Sequence, residues 1–155
     1  MPDARTMARI AELGWSNHFF VRGAEQIGRW RAAILGAKGK IVLDHMGNPP
    51  PSKGLDSAEF AFTRECLDTG RCWVKLSPRP SEHEDFPFAD TIPFIQALIA
   101  RYPTRLVWGS DWPHPHYTKP MVDDGRLVDL AAEWMPDDAV RRKVFVDNPA
   151  EAFGW

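Results

Sequence analysis

LVWGSDWPHPHY, residues 106–117, is the stretch from which the fold is read. Leu106–Trp108 is a short apolar run, and Gly109-Ser110 ends it. An acid, Asp111, follows at once, then Trp112-Pro113 and His114-Pro115-His116. A buried strand that ends in a carboxylate and two imidazoles matches the layout of parallel α/β folds, whose chemistry gathers at the carboxyl ends of strands. The prolines stiffen the loop that presents those groups.

Outward from this stretch the chain alternates. Upstream, ADTIPFIQALIARY places Ile92, Ile95, Ile99 and Tyr102 on one helical face, with Pro93 in a first turn where no amide donor is needed. CWVKLS and KIVLDH are short strand-like runs, separated by the helical SAEFAFTRECLD. AEQIGRWRAAIL is a helix and GWSNHFFV an aromatic strand. ARTMARIAEL is a helix that Gly14 stops. Downstream, GRLVDLAAEWM and DDAVRRKVFV are helices, and Asn148 is expected to cap a last turn that Pro149 begins. Pro- and Gly-rich loops, MGNPPPSKGLD and PRPSEHEDFPF, separate these units.

Strands alternating with helices predict an α/β fold with a parallel sheet and right-handed crossovers. Two architectures fit: an open doubly wound sheet, or part of a (β/α)8 TIM barrel. A whole barrel takes about 250 residues and eight strands. This chain has 155 residues, 1–155, expected to form a single domain, and supplies about four strands; if it belongs to the barrel class, it is half a barrel.

Composition narrows the function classes. The chain is 44% hydrophobic, enough to build a core, and its net charge is −2 with mixed signs. That charge gives no electrostatic case for nucleic acid or an anionic membrane surface. No apolar run reaches the ~20 residues of a membrane span, and the charged N-terminal stretch lacks a secretory core. Cys66 and Cys72 are expected as free thiols, and the chain is expected in the cytoplasm.

Polar residues close each strand. The first run holds His18, with Arg22 just past it. The second ends Asp44-His45. The third carries Lys75, Ser77 and Arg79, and the fourth Ser110, Asp111, His114 and His116. Each has a bland alternative. Asp111 is a common turn residue, His45 can be a satisfied core histidine, and His114 an ordinary loop residue. Asp44, next to His45 on a strand, is expected on the opposite face, salt-bridged under the sheet. Lys75 reads as a buried paired charge and Arg79 as a loop residue or an anion clamp. Trp112 is expected as a lid or floor, and Trp15, Trp73 and Trp108 as core.

VLDHMGNP, CWVKLS, RLVWGSDWPHP and VDNPAEAFGW together resemble the amidohydrolase superfamily, and within it the amidohydrolase-2 branch that contains 2-pyrone-4,6-dicarboxylate lactonases. The resemblance runs from about Gly14 to Trp155. It implies a (β/α)8 barrel of the metallo-dependent hydrolase type, of which these strands would be the last four. It also implies a hydrolase that opens a lactone or related cyclic ester of a carboxylate-bearing small molecule. By motif, Asp111 would be the general base that takes a proton from water, and His45 would polarise the substrate carbonyl. Arg79 would clamp a substrate carboxylate, with His18, His114 and Trp112 also on the substrate.

The family's His-x-His after its first strand has no counterpart here, since His114-Pro115-His116 follows the last strand. The resembling branch implies no required cofactor. A divalent zinc or manganese held by His45 and Asp111 is the alternative. The expected partners are a small carboxylate or lactone substrate, and either a second copy or a missing N-terminal half. A truncated half-barrel with little activity, serving as a fragment or assembly module, is the competing reading. A flavodoxin-like phosphate binder has no glycine-rich cradle to support it.

Overall fold

The computed structural model describes residues 3–79, 81–115 and 117–154, so His116 lies outside the described residues. The expected alternation is present. Helix α1 (Ala4–Glu12) starts at Asp3, whose carboxylate accepts from the Thr6 amide at 2.8 Å. Gly14, at φ 74°, then turns the chain into β1 (Ser16–Phe19). Next come α2 (Gly23–Gly36), β2 (Lys40–Leu43), α3 (Ala58–Asp68) and β3 (Cys72–Leu76). Helix α4 (Ile92–Arg101) carries Pro93 in its first turn and leads to β4 (Leu106–Trp108). Helices α5 (Asp124–Trp134), α6 (Asp138–Arg142) and α7 (Asn148–Phe153) complete the described chain. The helix predicted over DDAVRRKVFV is split: α6 covers its start, and Lys143–Asp147 widens into a π-helical turn.

The four strands are parallel and lie in the order β1-β2-β3-β4. This order separates the two candidate architectures. A doubly wound sheet reverses its direction of travel and so places helices on both faces. Right-handed crossovers that always step the same way place every connecting helix on one face, as in a barrel. Phe19, Ile41, Leu43, Cys72, Val74, Leu76 and Leu106 accordingly share one core with residues of α1 to α5. Strand alternation turns Val42, Trp73 and Val107 to the other face, where they pack with Ala152 of α7 in a second, smaller cluster. In a closed barrel that face is the interior. The chain is an arc of four βα units of a TIM barrel.

Helix α7 covers the lower part of this inner face. Asn148 does not cap it as expected. It is the first residue of the helix, and its side-chain amide donates to the carbonyls of Pro103 at 2.9 Å and Leu106 at 2.7 Å. Lys40 Nζ donates to the Glu151 carbonyl at 2.6 Å, and Arg105 pairs with the Glu151 carboxylate at 2.7 Å. Lys40 and Arg105 stand at the starts of β2 and β4, so α7 leaves the carboxyl ends of the strands open. Trp73 is core at 3% exposure, but Trp15 stands 65% exposed, against expectation, because it precedes β1 at the sheet edge. Cys66 and Cys72 are buried free thiols.

Candidate active site at the strand ends

Extended backbone stops abruptly at the end of β2. His45 and Met46 take left-handed conformations, with φ 52° and 57°. Residues with a Cβ pay on the order of 1–3 kcal/mol for sparsely populated backbone, and such strain gathers at functional sites. Gly47, at φ 76°, completes the turn where the backbone runs against Thr63 of α3, whose hydroxyl donates to the Met46 carbonyl at 2.9 Å. Leaving the strand also breaks the alternation of faces. Asp44 and His45 therefore line the same cavity, which corrects the expectation that Asp44 lies under the sheet. Asp44 is salt-bridged as expected, to Lys75 Nζ at 2.9 Å.

Asp111 follows β4 with φ 74°, held by a tight turn in which the His114 amide donates to the Asp111 carbonyl at 2.6 Å. The twist aims its carboxylate back across the strand ends. Oδ1 lies 3.3 Å from His45 Nε2, and Oδ2 accepts from Arg79 Nε at 2.7 Å. Arg79 also donates to the Pro115 carbonyl, tying the loop after β3 to the loop after β4. On the far side of the imidazole, His45 Nδ1 is 2.8 Å from the Ser77 hydroxyl. Phe20 packs edge-on to the ring, with centroids 5.4 Å apart. Burial first, then the nearby Lys75 ammonium, lower His45 from an ordinary 6.5 to about 4, against the opposing pull of Asp111. A proton donor or acceptor that is neutral at physiological pH results.

Two cavities meet at this cluster. One, of about 440 Å³, is walled by Phe20, Asp44, His45 and Lys75. The other, of about 260 Å³, reaches past Asn48 toward Phe88, His114 and Tyr117. Arg22, Arg79 and Asp111 line both. Arg22 forms no ion pair among the described residues, and its guanidinium rests over the Phe20 ring at 4.7 Å.

The structure thus brings together Asp111, His45 and Arg79, with His114 one wall away. His114 is tied to Asp124 at the start of α5, Nε2 to Oδ1 at 3.2 Å. Two residues expected on the substrate lie elsewhere. Trp112 is 74% exposed and lines neither cavity. His18 sits lower on the inner face, 3.0 Å from the Ser16 hydroxyl and stacked on Phe153. Burial lowers its pKa, which Asp44 partly offsets. Phe88 and Tyr117 were not legible as wall residues, since loop packing alone brings them in.

An arc of parallel βα units with an acid, an imidazole and two guanidiniums at its carboxyl rim defines the class of fold: a TIM-barrel scaffold with polar groups gathered at its strand ends. The Amidohydro_2 family, described as amidohydrolase, matches residues 1–155, and the chain belongs to that family. It is 41% identical over 124 residues to 4-sulfomuconolactone hydrolase of Rhizobium radiobacter, covering 78% of this chain and 42% of that protein. It is 33% identical over 155 residues to 2-pyrone-4,6-dicarboxylate hydrolase of Comamonas testosteroni, covering 94% and 50%. A Pseudomonas putida structure provisionally assigned as a 2-pyrone-4,6-dicarboxylic acid hydrolase superposes with a TM-score of 0.75 at 30% identity, covering 99% of this chain and 59% of that one. The chain spans about half the length of the curated relatives it matches.

Proposed function

We propose that this chain forms a single partial-barrel domain that carries the water-activating side of a lactone hydrolase acting on a small anionic cyclic ester. The observation that carries the proposal is Asp111 held between His45 and Arg79 at the junction of two cavities. Its relatives, a sulfomuconolactone hydrolase and a pyrone dicarboxylate hydrolase, act on lactones whose names carry anionic groups. In this reading, Asp111 takes a proton from water as the water oxygen attacks the lactone carbonyl. His45 donates a hydrogen bond to the oxyanion that develops. The ring C–O bond then breaks, the proton passes from Asp111 to the departing oxygen, and an open-chain acid is released. Arg79 and Arg22 hold the substrate's anionic groups, which fixes the carbonyl in place.

A catalytic zinc takes three protein ligands. The described residues offer two donors, His45 Nε2 and Asp111 Oδ1, and Arg79 already bonds the same carboxylate. No group of three His, Cys, Asp or Glu side chains that could hold a metal occurs among the described residues. This donor set alone does not fit a metal centre, and no step here passes through one. We expect dialysis against a chelator to leave turnover unchanged; loss that zinc or manganese restores would overturn this.

Ring opening of a pyrone dicarboxylate and of a sulfonated muconolactone, followed by loss of ultraviolet absorbance, tests the reading. Asp111→Asn is expected to slow turnover about 10²–10⁴-fold. A variant as fast as the parent chain rejects the base assignment. A second reading, that the chain is an assembly module, is favoured by the open edges that β1 and β4 leave on its four-stranded sheet among the described residues. Under that reading the chain alone is inactive, and activity appears on adding a complementary N-terminal half.

A further inference from the structure

We propose that Ser77 is a positioning residue: its buried hydroxyl donates to His45 Nδ1 and so holds the imidazole in the tautomer that carries its proton on Nε2. The inference rests on the hydrolytic reading for its consequence but not for its geometry. His45 Nε2 faces Asp111 Oδ1 at 3.3 Å, and the other oxygen of that carboxylate accepts from Arg79. A lone pair on Nε2 would confront an anionic oxygen, so the proton belongs on Nε2. In a neutral ring Nδ1 is then an acceptor and needs a donor beside it. Among the described residues the group there is the Ser77 hydroxyl, 2.8 Å away.

Ser77 is fully buried, so bulk water does not take its place. The hydroxyl has one proton and two acceptors in reach, His45 Nδ1 at 2.8 Å and the Arg79 carbonyl at 3.2 Å. Donation to Arg79 would reverse the ring, placing the proton on Nδ1 and leaving Nε2 bare against Asp111. A hydroxyl in this position has a different effect from a carboxylate. It orients the imidazole without charging it, so His45 remains a neutral donor toward a developing oxyanion instead of becoming a competing base. Ser77 also links the site's parts: its own loop, after β3, carries Arg79 two residues on.

The test is the nitrogen-15 spectrum of the histidine side chains in the full chain at neutral pH, with His45 assigned by comparison with His45→Gln. The parent is expected to show a protonated Nε2 and a bare Nδ1. Ser77→Ala is expected to move His45 toward a mixture of tautomers and to lower kcat about tenfold with little change in KM, while Ser77→Thr restores the parent pattern. A parent His45 protonated on Nδ1, or doubly protonated, overturns the proposal even if Ser77→Ala does not fold. An unchanged His45 spectrum in folded Ser77→Ala overturns it too. If no lactone is turned over, the spectrum still decides the tautomer, so failure of the hydrolytic reading is told apart from failure of this one.

Discussion

At the scale of single residues, three side chains from three different loops depend on one another. Asp111 is oriented by Arg79 on one oxygen and faces His45 on the other. Arg79→Lys keeps the charge but loses the planar fork that reaches Asp111 and Pro115 together. It is expected to lower kcat/KM about 10- to 100-fold, read in the same ring-opening assay. His45 also sets a pH dependence. Its folded pKa is about 4 against 6.5 for an ordinary histidine, so between these values the folded chain binds fewer protons than the unfolded one. Unfolding free energy therefore rises with pH across that window and falls as pH drops from about 6.5 toward 4, by on the order of 3 kcal/mol in full. Urea unfolding at steps from pH 4 to 7 measures it. His45→Gln should flatten the slope, and an unaltered slope would show that another group is responsible.

At the scale of elements, the turn after β2 is the sensitive one. A Cβ added at Gly47 would collide with the Thr63 hydroxyl, and its φ of 76° disfavours any side chain. Gly47→Ala is expected to destabilise the fold by about 2–4 kcal/mol, through a steric clash and backbone strain together. Thermal unfolding checks it, and a loss under about 0.5 kcal/mol would mean that the turn relaxes freely. Asn148 matters for a different reason. It satisfies two carbonyls at the start of β4, so its truncation leaves buried acceptors unpaired. The sequence reading as a helix cap was natural for Asn-Pro, yet the side chain spans from the last helix to the sheet. Local propensity carries no information about a partner more than 40 residues away.

At the scale of the whole molecule, the sheet is an arc with two edges, β1 and β4. Unpaired strand edges are templates for association. Trp15, just before β1, is 65% exposed, so apolar surface accompanies that edge. We expect the chain to pair with a second copy or with the complementary part of a barrel. Light scattering at micromolar concentration should give a mass above that of one chain, and a cooperative monomer would count against the pairing. No described helix is long and apolar enough to cross a membrane.

The sequence by itself determined the order of elements, the parallel sheet and the polar strand ends. Each of these is written in local pattern: apolar periodicity, Gly and Pro punctuation, and an acid or imidazole just after an apolar run. It also singled out Asp111 and His45, which carry both a strand-end position and a family motif, and Arg79, which lies in the loop just past a motif. Tertiary structure decided the rest. Sequential strand order put the helices that connect the strands on one face and chose the barrel arc over the doubly wound sheet. Left-handed backbone at His45 and Asp111 turned their side chains toward each other, so that His45 shares a cavity wall with Asp44, and left Trp112 in solvent. Backbone dihedrals and cross-strand distances arise only when segments far apart in the chain pack together, so residue order alone does not encode them one position at a time.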